Sequence, residues 1–88
     1  MRSWDGMYQE FNEPIDVIVL YEKGILRPLR FRWKGRSHKV VRVTASWKAP
    51  KGEAWMRHFS LMDENGDVFF LIFDERGTQW TISKVWVE

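Results

Sequence analysis

Six segments of the chain are rich in β-branched and aromatic residues and are separated by turn signals at short intervals, the pattern of a small β-sandwich or barrel. The predicted strands cover residues 15–22, 25–34, 38–48, 55–62, 67–73 and 78–87. Short turn signals separate them, and Asp63-Glu64-Asn65-Gly66 and Asp74-Glu75-Arg76-Gly77 each fit a type I turn followed by a left-handed glycine. Because connections this short join antiparallel neighbours, the pattern predicts an all-β fold, a small antiparallel barrel or rolled meander of about six strands.

The chain has 88 residues, which favours one domain, and its core must come from large side chains: six Trp, six Phe and two Tyr. We assign residues 15–88 to a single β domain and residues 1–14 to an N-terminal segment. Four apolar residues of that segment recur at i, i+3, i+4 and i+7: Trp4, Met7, Tyr8 and Phe11. With Ser3 placed to cap it and Pro14 to end it, this spacing predicts a short helix, or an ordered segment, that packs on the barrel.

The fifth predicted strand is apolar on both faces, because residues 68–73 form the longest apolar run of the chain. Such a strand requires cover on both sides or leaves an exposed apolar patch. The N-terminal segment would supply that cover, and a partner chain is the alternative. In the second case Phe69, Phe70 and Phe73 form the contact patch of a protein–protein interaction or oligomerisation module.

The second and third predicted strands alternate apolar and basic residues. The apolar residues occupy the odd-numbered positions, which are Leu29, Phe31 and Trp33 in the second strand and Val41, Val43, Ala45 and Trp47 in the third. A three-residue loop, Gly35-Arg36-Ser37, pairs odd positions with odd positions and turns this set inward. The same register places His38, Ser46 and five cations outward: Arg30, Arg32, Lys34, Arg42 and Lys48.

Charge is distributed unevenly around a formal net charge of +2. The basic segment, residues 23–51, contains ten Lys or Arg and no Asp or Glu, whereas the rest of the chain holds four basic and all twelve acidic side chains. Guanidinium groups bind phosphate in a bidentate manner, so this segment predicts non-catalytic binding of DNA, RNA or another polyanion, or of an acidic protein. The predicted binding residues are Arg30, Arg32, Lys34, Arg36, Arg42 and Lys48, with Trp55 as a residue on which bases would stack.

A second interpretation of the same asymmetry needs no ligand. The basic face would be solvated, or would pair across strands with Asp16, Glu22, Glu53 and Asp67. The cross-strand form of this interpretation predicts that the cations have carboxylate partners within the chain.

Patterns that carry catalysis or bind metals are sparse. The chain has no cysteine, and its two histidines, His38 and His58, lack the spacing of a metal motif, so we expect neither metal nor cofactor. The one enzymatic alternative is a small metal-independent ribonuclease in which Glu53, Arg57 and both histidines converge. The lack of cysteine, of a signal-peptide pattern and of a membrane-spanning run favours a cytoplasmic protein with no membrane or small-molecule partner.

Residues 31–40 and 85–88 resemble a family of short uncharacterised bacterial all-β domains. Its pattern is an Arg-Phe-x-Trp-Arg-Gly-Arg-x-Tyr-x-Val hairpin, followed by a Trp and by a closing Trp near the end. The matching positions are Arg30, Phe31, Trp33, Gly35, Arg36, Val40, Trp47 and Trp80, while Lys34 and His38 replace the Arg and Tyr of the pattern. Members of the family are sometimes found beside or fused to proteins of DNA-repair synthesis, so the resemblance implies such an association, and it transfers no catalytic residue.

Overall fold

Six antiparallel strands close into a barrel in the order β1-β2-β3-β4-β5-β6 in the computed structural model, which describes residues 6–87. The strands are β1 (Met7–Glu22), β2 (Ile25–Trp33), β3 (Arg36–Lys51), β4 (Ala54–Asp63), β5 (Val68–Asp74) and β6 (Gln79–Val87). The predicted all-β fold of six sequentially paired strands is confirmed. Within the described residues there is no helix with the length and hydrophobicity needed to cross a lipid bilayer.

Large apolar side chains from β2, β4, β5 and β6 fill the interior of the barrel. Leu61, Leu71 and Ile82 are fully buried at its centre. The other buried apolar residues are Phe31, Phe59, Phe69, Trp80 and Val85. A domain of this size has little surface to bury, so these few large rings supply a major part of its hydrophobic stabilisation.

The first half of β1 corrects the predicted N-terminal helix. Residues 7–14 are β-strand and pair with β6, while Ser3 and Trp4 lie outside the described residues. Tyr8 faces outward and Phe11 packs toward the core, so residues with helical spacing occupy opposite faces of a strand. The strand is favoured because its pairing with β6 closes the barrel and removes an exposed sheet edge.

Both faces of β5 are covered, as its apolar run requires. Phe69 and Phe73 point inward, where Phe69 is 2% exposed and Phe73 packs on Trp80 with ring centroids 4.9 Å apart. On the outer face Phe70 packs edge-on against Tyr8, with ring centroids 5.2 Å apart. The three phenylalanines of the predicted contact patch are therefore divided between the core and an outer cluster, and do not form one surface.

The turn between β2 and β3 differs from the predicted three-residue loop. Lys34 and Gly35 have positive φ, 52° and 74°, which is the backbone of a two-residue type I′ turn. This turn matches the twist of the flanking strands, and it places His38 opposite Phe31. The prediction that His38 lies on the outer face is wrong, because the observed register turns it into the barrel, where it is 8% exposed.

Two β-bulges in β3, at Val41 and Thr44, change which residues face outward. Arg42 remains exposed on the outer face, as predicted. Beyond the second bulge the alternation reverses, so that Trp47 faces outward and is 46% exposed. The prediction that the odd positions of β2 and β3 face the core is correct for Phe31 and Trp33 and wrong for Leu29, Val41 and Trp47.

One of the two similar turns has the predicted geometry. In the β4–β5 turn Gly66 is left-handed, with φ of 84°, and its N–H donates to the carbonyl of Asp63 at 3.0 Å. In the β5–β6 turn the left-handed residue is Thr78, with φ of 54°, and not Gly77. The side chain of Asp74 accepts N–H groups of this turn, so the connection is a longer loop organised by that carboxylate.

Candidate nucleic-acid interface

All ten cations of the basic segment are exposed. Two ion pairs of Lys or Arg form within the described residues, both with Glu75, and only one uses a cation of this segment, since Lys48 Nζ lies 3.5 Å from Glu75 Oε2. The carboxylates that a ligand-free interpretation required, those of Asp16, Glu22, Glu53 and Asp67, take part in neither. Over residues 6–87, ion pairing therefore leaves nine of the ten cations unneutralised.

Five of these cations share the outer surface of β2 and the first half of β3, which we call the basic face: Arg27, Arg30, Arg32, Lys39 and Arg42. Arg30 lies opposite Lys39 in the strand register, and Arg32 lies opposite Ser37. The guanidinium of Arg30 donates to Ser37 Oγ at 3.1 Å, which holds it across the two strands. Arg30, Arg32 and Lys39 thus lie where β2 and β3 are paired, and Arg27 and Arg42 lie on the same outer surface beyond the point where the two strands separate.

Two carboxylates adjoin the basic face without forming an ion pair with it. Asp16 of β1 stands opposite Arg32 in the register. Glu64 approaches Lys39 from the β4–β5 turn, but its Oε1 accepts the backbone N–H of Lys39 at 2.7 Å. Because both carboxylates stay at the margin, the five cations give this surface a net positive charge.

The other predicted binding residues lie elsewhere. Lys34 is in the β2–β3 turn, where its ammonium lies 4.8 Å from the ring centroid of Phe11, and Arg36 directly follows that turn. Lys48 is at the far end of β3, paired with Glu75. The structure therefore brings together Arg30, Arg32 and Arg42 of the predicted set, and separates Lys34, Arg36 and Lys48 from them because the register shifts at the turn and at Thr44.

A groove opens between β2 and β3 beyond the pair formed by Arg30 and Lys39. From that point β2 pairs only with β1, and β3 pairs only with β4. Two adjoining depressions of about 410 and 310 Å³ share Ile25, Leu26, Ser46 and Phe59 and together form the β2–β3 groove. Leu26 and Phe59 form an apolar part of its floor, and four cations line it: Arg27, Arg42, Lys48 and Arg57. Of these, Lys48 and Arg57 are paired with Glu75.

Trp47 lines the far end of the β2–β3 groove and was assigned to the core by its odd position. Its indole ring stacks on the imidazole of His58, with ring centroids 5.2 Å apart and an interplanar angle of 7°. The predicted stacking residue, Trp55, is 51% exposed but lies near Lys48, with the ammonium 5.6 Å from its ring, and does not line the groove. No residue of the sequence marks the bulge at Thr44, so the exposure of Trp47 had no local signal.

Burial lowers the pKa of His58 below its ordinary value of about 6.5. The unfolded chain then binds a proton more readily than the folded chain. The free energy of unfolding is therefore expected to rise with pH from the folded-state pKa up to about pH 6.5, and to lose this dependence above it. Urea denaturation of the wild type and of His58→Gln across this range checks the effect, which should be smaller in the variant. A ring-proton titration midpoint at or above 6.5 for His58 would contradict it.

The residues of the ribonuclease alternative do not converge. His38 is inside the barrel with Nδ1 2.9 Å from Asp63 Oδ2, whereas His58 stacks on Trp47 at the outer surface. The guanidinium of Arg57 is hydrogen-bonded to Glu75. Among residues 6–87 no group of three or more His, Asp or Glu side chains is arranged to hold a metal ion.

Comparison with known proteins returned no match, whether to a protein-family model, to a curated protein or to a solved structure. Function is therefore inferred from the charges and contacts of the chain itself.

Proposed function

We propose that the protein binds nucleic acid, or another polyanion, without catalysis, through the basic face of β2 and β3. One observation carries this proposal: within the described residues, nine of the ten exposed cations of the basic segment have no ion-pair partner. Five of these cations share the basic face, where like charges repel one another, so an anion supplied from outside would stabilise the arrangement.

The chemistry of the basic face suits phosphate. Three of its five cations, Arg27, Arg30 and Arg32, are arginines of one strand, and a guanidinium offers paired N–H donors that fit two phosphate oxygens. Arg30 and Arg32 are two residues apart, and thus about 7 Å apart along the strand. Two such groups in a row would contact successive anionic groups of an extended polymer.

The resemblance of residues 31–40 to the hairpin of small bacterial domains that occur with proteins of DNA-repair synthesis points in the same direction. It favours nucleic acid over an acidic protein as the polyanion. The residues that carry the resemblance are mainly aromatic and turn residues that determine the fold. The proposal therefore depends on the exposed cations and not on the resemblance.

An NMR titration of ¹⁵N-labelled protein with a short single-stranded and a short duplex oligonucleotide tests this function. We expect shifts of the backbone amides of β2 and of the first half of β3, and weaker binding at higher salt. For about four neutralised phosphates, log K should fall against log salt with a slope of roughly −0.7 per phosphate on a single strand and −0.9 on a duplex. The proposal is wrong if the amide resonances do not shift at low salt, or if the resonances that shift belong to β5 and β6.

A further inference from the structure

We infer that the preferred nucleic acid is single-stranded and that it lies in the β2–β3 groove with a base stacked on Trp47. This inference rests on the proposed function and names its ligand class. Leu26 and Phe59 form an apolar part of the groove floor, and Arg27 and Arg42 line the groove as well.

The apolar floor favours a single strand over a duplex. A duplex turns its bases inward and presents phosphates and sugars, so the exposed apolar side chains of this surface would face charge. A single strand exposes both its bases and its phosphates, and can place the first on the floor and the second on the cations. The large apolar side chains exposed at the groove include Ile25, Leu29, Val41 and Val43, each at least 40% exposed.

Trp47 supplies the stacking surface. Its ring is held parallel to the imidazole of His58, so one side of the indole is supported while 46% of the residue remains exposed. A supported ring loses little conformational freedom when a base stacks on it, which favours binding. Lys48 also lies at this end of the groove but is paired with Glu75, so the phosphates of a bound strand would be held by the unpaired Arg27 and Arg42.

The strand edges that border the groove argue against an extended peptide as its occupant. A peptide would bind there by adding a strand to an edge, through a row of backbone hydrogen bonds. On the β2 side Pro28 has no N–H to donate, and on the β3 side the bulges at Val41 and Thr44 break the regular row. A ligand of this groove would therefore be bound by side chains and not by a row of backbone hydrogen bonds. A nucleic acid strand binds proteins in this way.

Fluorescence anisotropy with a labelled oligothymidine of about 12 nucleotides, and with a duplex of the same length, tests the inference. We expect the single strand to bind more tightly. Trp47→Ala should weaken single-strand binding about 5- to 100-fold, Trp47→Phe should restore most of the loss, and duplex binding should change little. Trp55→Ala is the matched control, because Trp55 is an exposed tryptophan of the same hairpin that does not line the groove.

The outcomes separate this inference from the proposed function. If neither oligonucleotide binds at low salt, both are wrong. If the duplex binds as tightly as the single strand, or if Trp47→Ala and Trp55→Ala have equal effects, the groove is not the site of a single strand, while the proposed function stands. An oligoglutamate peptide that binds the groove as tightly as the oligothymidine would also overturn the inference.

Discussion

Replacing Asp63 with alanine is expected to lower the free energy of unfolding by about 3–5 kcal/mol, a large part of the stability of a domain of this size. Asp63 is 1% exposed, and its carboxylate accepts three hydrogen bonds. Oδ1 accepts the backbone N–H groups of Asn65 and Asp67 at 3.0 Å, and Oδ2 lies 2.9 Å from Nδ1 of His38. Because a carboxylate only accepts, Nδ1 carries the hydrogen and donates it.

The loss would be large because His38 has no second partner to replace the carboxylate. Within the described residues its Nε2 is buried without a hydrogen bond, and its ring stacks on Phe31 with centroids 4.8 Å apart. In the alanine variant both ring nitrogens would be unsatisfied inside the barrel, and the β4–β5 turn would lose two hydrogen bonds.

Urea denaturation of Asp63→Ala and Asp67→Ala provides the comparison. Asp67 is in the same turn and is exposed, so its substitution removes the same charge and should change stability by no more than about 0.5 kcal/mol. Asp63→Asn, which keeps an acceptor for the turn but removes the negative charge beside His38, should fall between the two. Equal stabilities of Asp63→Ala and Asp67→Ala would show that the buried pair does not stabilise the barrel.

The strands were predictable because their sequence signals are local. Apolar alternation and the Gly-containing turns located all six elements, and the Asp63-Glu64-Asn65-Gly66 turn formed as expected. The first half of β1, residues 7–14, was missed because its partner, β6, lies at the other end of the chain, and no local pattern reports that pairing. The pairing with β6 that closes the barrel determines the conformation of this segment, and the helical spacing of its apolar residues does not.

The candidate site was only partly predictable. The alternation of apolar and polar residues predicts which face of the sheet a side chain occupies only up to the next β-bulge or change of register. The alternation of apolar and basic residues placed Arg30, Arg32 and Arg42 correctly on the outer face. A two-residue turn and two bulges then changed the register, which buried His38 and exposed Trp47. A bulge is stabilised by contacts with the neighbouring strand, such as the hydrogen bond from Thr44 Oγ1 to the carbonyl of Ser60, and these contacts are not visible in sequence.

Reversing the charge of two arginines of the basic face should weaken oligonucleotide binding more than any other change of the same size. Arg30→Glu with Arg32→Glu removes two charge-assisted hydrogen bonds to phosphate and adds two repulsive carboxylates beside Asp16. The loss of the two bonds alone corresponds to about 3 kcal/mol or more, so we expect affinity to fall by a factor of about 100 or more at low salt.

The control must carry the same net charge. Lys51→Glu with Arg76→Glu meets this requirement, since both residues are exposed, and they lie at the end of β3 and in the β5–β6 turn, away from the basic face. A charge that does not contact the bound strand acts on it through solvent, where salt screens the interaction. This variant should therefore retain affinity within about threefold at moderate salt.

The salt dependence of single-strand binding, measured for the wild type and these two double variants, tests most directly whether the basic face is the binding surface. The wild type and the Lys51, Arg76 variant should have the same slope of log K against log salt. The slope of the Arg30, Arg32 variant should be smaller in magnitude by about 1.4, the share of two phosphates. Equal slopes and equal affinities for the two double variants would contradict the assignment of the basic face as the site.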